Sequence, residues 1–441
     1  MEHDSSDSPM VKILHLSDIH MGSGLSHGRI NPKTGMNTRL EDFRDALSHC
    51  IDRALSEPVD LVLFGGDAFP DATPPPLVQE AFANQFRRLA DAEIPAVLLV
   101  GNHDQHAQGQ GGASLCIYRT LRVPGMIVGD RLCTHRIAIG AQEVQVITLP
   151  WLTRSHLLTR PETEGVSLGE IHRLLLERLR VALEGEIRQL DPTLPTILLA
   201  HLMVDKARYG AERFLAVGKG FTVPLEFLTR PQFDYVALGH VHYHQVLSQH
   251  PPVVYPGSIE RVDFSEESET KGYVLGEVER GHTRFEFCPL PGRAFRTIEC
   301  DLATVADPQV ALMQAIAASP IQDAVVRLIY RLRPDQVDAI DTAVLHQALA
   351  IAHSYTMQPH LISQLARPRI PELDADADLN PLEALQTYLA ERTDLQDLLP
   401  DLLAAAEHLL LTEQASPLTL AETAINSFPE EEVYQTQLRL L

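Results

Sequence analysis

The sequence predicts an α/β fold with buried strands. Short apolar runs of strand length alternate with stretches of helical period, in the order strand, helix, strand, helix, strand. Glycine or a polar turn closes each run, and Asp, His or Asn follows directly after it.

Residues 11–16 form the first run, apolar enough to be covered on both faces. A polar, glycine-containing loop spans 21–37. Thr38 then opens a helix that carries Phe43, Ala46, Leu47, Cys50 and Ile51 on one face. Residues 59–64 are the second strand, stopped by Gly65-Gly66. Pro74 to Pro76 pre-set the first turn of a second helix, which runs to about Ala92. Residues 96–100 are the third strand, ending in Gly101-Asn102. More strands are expected at 144–149, 196–200, 235–238 and 253–255, with a long helix over 167–190 that Pro192 ends.

Beyond 289–292 the pattern changes. Strands at 295–301, 324–332 and 356–365 enclose helices at 308–318 and 341–352, a small α+β domain. Asp374, Asp376 and Asp378 mark an acidic stretch, and 382–411 reads as helical. The expected layout is a disordered N-terminus (1–10), a main domain (11–290), an α+β cap (293–370), an acidic linker (371–380) and a helical tail (381–441) that could dock a partner.

Composition excludes several classes. The chain has 441 residues, 45% of them hydrophobic, so a disordered or collagen-like chain is ruled out. Its cysteines, Cys50, Cys116, Cys133, Cys288 and Cys300, are odd in number and scattered, and are expected to be reduced thiols. No stretch is apolar enough to span a membrane. The first ten residues lack a basic start and an apolar run, so a cytoplasmic protein is expected. The net charge of −23 weighs against nucleic acid. Much of it lies beyond position 371, where about fifteen acidic residues face only Arg392 and Arg439.

Five motifs follow predicted strands: Asp18-Ile19-His20, Gly66-Asp67, Gly101-Asn102-His103-Asp104, Ala200-His201 and Gly239-His240-Val241-His242. In open α/β sheets ligands bind at the carboxyl ends of strands. In extended backbone, residues i and i+2 point the same way. Asp18 and His20 are therefore expected to converge, as are His240 and His242. Mixed Asp, His and Asn donors suit Mn2+, Fe or Zn2+ better than Ca2+. Asp67, alone after its strand, is the natural bridge between two ions.

These motifs resemble the calcineurin-like metallophosphoesterase superfamily. The resemblance implies a β-sandwich flanked by helices that holds two divalent ions, Mn2+ first, with Fe or Zn as alternatives. Asp18, His20, Asp67 and His242 would hold one ion; Asp67, Asn102, His201 and His240 would hold the other. His103 would be the catalytic acid, oriented by Asp104. Two such cations, roughly 3.5–4 Å apart, acidify a shared water and clamp phosphate oxygens, which favours in-line phosphoester hydrolysis.

A second segment narrows the resemblance: Pro256-Gly257-Ser258, Arg261, Phe264-Ser265-Glu266 and Lys271-Gly272. It is similar to the end of the nuclease domain in SbcD-like subunits of SbcCD complexes, and the α+β region is similar to their DNA-binding cap. That implies a Mn-dependent nuclease that degrades duplex DNA from the 3′ side and opens single-stranded or hairpin DNA. It also implies a homodimer, an SbcC-type ATPase partner, and a role in DNA repair, recombination and replication. The chain has no P-loop, so ATP dependence would come from the partner. One departure is Pro70 after Phe69, where some relatives carry a histidine. The loop from 23 to 37 is also longer than expected.

Arg29, Lys33, Arg39, Arg208 and Arg261 are the candidate DNA contacts, with a solvated surface or structural pairing as the bland alternative. His15 is expected in the core or behind the ligands; His106 and His244 lie near the motifs, where substrate contact and a solvent-facing structural role are equally expected. Two other functions remain open. One is a phosphatase or cyclic-nucleotide phosphodiesterase for small substrates; the other is a non-catalytic scaffold of the same fold.

Overall fold

The computed structural model describes residues 10–106, 112–140, 142–153, 165–210, 221–362, 381–390 and 399–415. Strands buried on both faces pair in parallel. β1 (Val11–Leu16), β2 (Leu61–Phe64), β3 (Ala96–Leu99) and β4 (Met126–Gly129) lie side by side in this way. A second sheet takes β5 (Cys133–Ile139), β6 (Gln142–Leu149) and β7 (Thr196–His201). A small ribbon, β8 (Met203–Val204) with β9 (Thr222–Val223), precedes β10 (Tyr235–Gly239), β11 (Gln245–Gln249) and β12 (Pro252–Tyr255) of that second sheet. The chain then returns to the first sheet as β13 (Gly272–Glu279) and β14 (His282–Pro289). The orders are β14-β13-β1-β2-β3-β4 and β11-β12-β10-β7-β6-β5.

Period-two alternation divides the apolar residues among three layers. Ile13, Leu61, Leu63, Val97 and Leu99 meet Val146, Ile197, Leu199, Tyr235 and Ala237 between the sheets. Leu14, Leu16, Val62, Phe64 and Leu98 point outward, under α1 (Thr38–Ser56) and α2 (Pro76–Asp91). The short α3 (Cys116–Thr120) lies beside β4. Ile147, Leu198, Val236 and Leu238 form the outer core of the second sheet with Leu179, Leu183 and Ile187 of α4 (Leu168–Ile187). Each fully buried Leu, Ile or Val contributes about 1.5–3 kcal/mol. Asn37 caps α1 by accepting from Arg39 N at 2.8 Å, and Ser167 caps α4.

The strands that periodicity missed are β4, β5, the two-residue β8 and β9, β11, β13 and β14. Most of these are only partly covered: along β14 the residues alternate between partly buried and exposed, so no continuous apolar run marks it.

β15 (Phe295–Asp301), α5 (Pro308–Ala318), β16 (Val325–Leu332), α6 (Thr342–Leu349) and β17 (Ser354–Leu361) follow in the expected order. Their sheet is parallel throughout and closes over Ile298, Leu312, Ile316, Leu328, Leu345 and Leu349.

The chain divides into two compact units, Met1–Ile362 and Ser363–Leu441. In the second, the region read as one helical stretch contains α7 (Pro381–Ala390) and α8 (Leu399–Ala415), which pack against each other. The expectations for residues 1–9, for the end of the last strand beyond 362, for the acidic linker and for 416–441 lie outside the described residues. All five cysteines are free thiols. Among the described residues no helix is long and apolar enough to cross a membrane.

Candidate metal centre

Parallel pairing puts the carboxyl ends of β1, β2, β3, β7 and β10 at one edge of the sandwich. The five motifs meet there, but not by strand alternation. Asp18 (φ 51°), His20 (φ 46°), Asp67 (φ 57°) and His240 (φ 101°) have positive φ, which corrects the expectation of extended backbone. Side chains seldom adopt this region, at a cost of roughly 1–2 kcal/mol per residue. A ladder of backbone bonds holds the conformation. Asp18 N and His20 N donate to the carbonyls of Gly66 and Asp67, both at 3.0 Å, and Met21 N donates to that of Ala68 at 2.9 Å. Glycine is needed where the loops touch: a Cβ on Gly101 would lie 2.1 Å from Asp67 Oδ1.

Three overlapping groups result: Asp18, His20 and His242; His20, Asp67 and His103; and Asp67, His201 and His240. Within each, the ligand-capable atoms lie within 4.8 Å of one another. His20 Nε2 is 3.0 Å from His242 Nε2 and 3.7 Å from Asp67 Oδ2. His201 Nε2 is 3.4 Å from Asp67 Oδ2 and 3.0 Å from Asn102 Oδ1, which is also 2.9 Å from His240 Nδ1. His240 Nε2 is buried with no hydrogen-bond partner among the described residues, and its ring stacks on Trp151 at 4.7 Å.

Ring orientation decides what this cluster can hold. A carbonyl can only accept, so the 2.7 Å contact to Gly65 O assigns the His201 proton to Nδ1 and turns the Nε2 lone pair inward. Glu266 Oε1 does the same for His242 through Nδ1 at 2.6 Å. The centre is thus crowded with lone pairs and poor in donors. Two carboxylates, four imidazoles and an amide oxygen fit divalent cations of the Mn, Fe and Zn kind.

The electrostatics agree. Burial and the nearby rings hold His20 and His240 well below their usual range, so both are neutral. Burial would raise Asp67, but the charge and hydrogen bond of His201 lead the effects that outweigh it and keep it ionised. Burial opposes charge on His201, yet Asp67 and Asp18 bring it up to about 9: with no cation present the ring itself carries the positive charge these carboxylates draw in, and a bound metal would take the place of its Nε2 proton.

His103 sits partly exposed at this edge, with its ring edge-on to His20 at 4.9 Å. Asp104 was expected to orient it, but the structure assigns that task to Pro70, whose carbonyl accepts from His103 Nδ1 at 2.7 Å. Asp104 instead accepts from the backbone N–H groups of Asp67, Ala68 and Gly101 at 2.9–3.0 Å, and so ties the second loop to the third. Burial and the charge of Asp67 push Asp104 up to about 7.

The candidate DNA contacts separate. Arg29, Lys33 and Arg208 are exposed. Arg39 is fully buried; it pairs with Asp42 at 2.7 Å and donates to the Arg261 carbonyl at 2.7 Å. Arg261 donates to the carbonyls of Glu269 and Arg293 at 2.6 and 3.3 Å. Both guanidiniums are committed inside the protein, which corrects their reading as phosphate contacts. His15 is buried behind the centre; His106 is exposed, and His244 bonds the Tyr255 carbonyl at 2.8 Å.

Sequence reasoning missed the groups that orient the rings. Glu266 is buried against His242 and against Lys271, whose Nζ lies 2.8 Å away. Both residues belong to the segment at 256–272 that carries the narrower resemblance, so the signal was present but pointed to substrate rather than to the ligands.

The calcineurin-like phosphoesterase family profile matches residues 11–244. The chain is 25% identical over 304 residues to the D-type subunit of the SbcCD nuclease of Staphylococcus epidermidis, covering 68% of this chain and 75% of that protein. A solved protein of Thermus thermophilus is 14% identical, with 63% of this chain and 99% of that one aligned at a TM-score of 0.35. A dimetal phosphatase from Danio rerio is 12% identical, with 62% and 98% aligned at 0.35. Those scores are too low to carry weight. The family profile covers more than half of the sequence, including every residue of the cluster, and the chain therefore belongs to the calcineurin-like phosphoesterases.

Proposed function

We propose that this protein is a metal-dependent DNA nuclease, the D-type subunit of an SbcCD-like complex. The observation that carries the chemistry is the inward convergence of seven donors, from Asp18, His20, Asp67, Asn102, His201, His240 and His242. The likeness to the Staphylococcus epidermidis nuclease protein supports DNA as the substrate.

Asp18, His20, Asp67 and His242 would hold one cation, and Asp67, Asn102, His201 and His240 the second, with Mn2+ the first candidate. When bound, the pair supplies Lewis acidity and a water that ionises near neutral pH. The protein's own groups do the rest. Gly65 O and Glu266 keep two rings facing inward. Pro70 O holds one His103 proton at Nδ1, so in the protonated ring the second proton, on Nε2, is the one passed to the leaving oxygen. Arg29, Lys33 and Arg208 are the remaining candidates for phosphate contacts. Trimming of duplex DNA from the 3′ side, hairpin opening, a homodimer, a cytoplasmic location and an SbcC-type ATPase partner complete the proposal.

The net charge of −23 favours the rival reading, a phosphodiesterase for small substrates. Purified protein with Mn2+ and end-labelled duplex, single-stranded and hairpin DNA separates the two. Cleavage that Asp67→Ala abolishes is expected. Intact DNA together with rapid hydrolysis of a cyclic nucleotide would reverse the assignment.

A further inference from the structure

The short turn Phe264–Glu266 reaches two distant parts of the first unit. Asp263 caps it, accepting from Ser265 N at 2.7 Å. Toward the metal centre, Glu266 bonds His242 Nδ1 at 2.6 Å, accepts from Val262 N at 2.9 Å and pairs with Lys271 at 2.8 Å. Lys271 also donates to the His242 carbonyl at 3.2 Å. Toward β15, both Glu267 carboxylate oxygens accept from Thr297 N, at 3.1 and 3.0 Å. β15 is an edge strand, so this amide has no strand partner on that side. Phe264 meets Phe295 edge-on at 4.9 Å and lies under the Arg327 guanidinium at 4.4 Å.

We propose that Glu266 and Glu267 are linked positioning residues. Glu267 and Phe264 seat the turn on β15, and the turn then sets where Glu266 holds the His242 ring. Seating of the β15–β17 sheet and cation affinity at His242 are therefore coupled. Glu266 is only 5% exposed and bonded on every side, so it cannot swing away when the turn shifts. Its neighbour is fixed to the strand by charge-assisted bonds. Such coupling is reciprocal: a cation at His242 steadies β15, and anything that moves β15 changes affinity for the cation. The inference rests on the proposed role of His242 as a ligand and extends it to control by the β15–β17 sheet.

The test uses the full chain and Mn2+ alone. Mn2+ is titrated by calorimetry into wild type and Glu267→Ala, which leaves every side-chain partner of His242 in place. One of two Mn2+ equivalents is expected to bind about 5-fold more weakly in the variant, the lower end of ordinary coupling. Hydrogen exchange over residues 295–301 is expected to slow on Mn2+ addition in wild type. Identical titrations, or exchange indifferent to Mn2+, overturn the coupling. If the variant does not fold, exchange in the wild type decides alone. Wild type that binds no Mn2+ at all overturns the metal-centre reading, and the coupling falls with it.

Discussion

The first sheet brings Asp18, His20, Asp67 and Asn102 to the centre by shaping backbone, whereas the second brings His201, His240 and His242 by holding rings. On the first sheet the loops are laced together by amide–carbonyl bonds, by Asp104 and by three left-handed residues, against His240 on the second. On the second, Gly65 O, Glu266 and Trp151 each fix one imidazole. The first sheet also contributes both carboxylates. A change at Asp67, on the first sheet, should remove charge shared by two ions, while changes in the second sheet should affect one ion at a time.

The largest effect tests that division. Asp67→Asn keeps a residue that tolerates left-handed backbone but removes the shared charge. Loss of both ions is expected, with DNA cleavage down by about 10³-fold or more, since several kcal/mol of charge stabilisation disappear at about 1.4 kcal/mol per decade. His242→Ala should lose one ion and keep the other. Metal analysis of both purified variants decides; if His242→Ala comes out empty of both, the division is wrong.

His103 belongs to neither group, because it should move a proton without holding an ion. His103→Ala is expected to slow DNA cleavage by roughly 10²–10⁴-fold with metal content unchanged. On bis(p-nitrophenyl) phosphate, whose leaving group needs no proton, the loss should shrink to less than about 10-fold. Equal losses on both substrates would remove His103 from the role of acid.

The same contrast explains what the sequence could reveal. Asp18, His20, Asp67, Asn102, His201, His240 and His242 were legible because strand ends punctuated by glycine are a local pattern. The way they converge was not, since positive φ at Asp18, His20 and Asp67 depends on bonds between loops far apart in the chain. Carbonyl partners such as Gly65 O and Pro70 O carry no residue-type signature at all. Arg39 and Arg261 were misassigned for a related reason: a cation in a polar loop looks the same whether its partner is a phosphate or a buried Asp42. Partly exposed strands such as β14 escaped because only one face carries the apolar pattern.

The smallest effect concerns the seam between the two sheets. His15, on β1, is fully buried and bonds the Tyr235 hydroxyl and the Leu238 carbonyl of β10, both at 3.1 Å. Burial lowers its ring to about 3, against the bond to Leu238 O that raises it. A neutral buried ring that must charge on unfolding contributes stability above its unfolded value, near 6.5, and loses it as pH falls toward 3. Between pH 7 and pH 5 the loss is about 2 kcal/mol. His15→Gln keeps a donor for the Leu238 carbonyl but cannot titrate, so its stability should fall less by that amount. Urea unfolding at the two pH values, in chelator to exclude metal effects, gives the comparison. If both proteins weaken equally on acidification, protonation at this seam does not separate the sheets, and their acid sensitivity arises from other groups, the buried histidines of the candidate centre first among them.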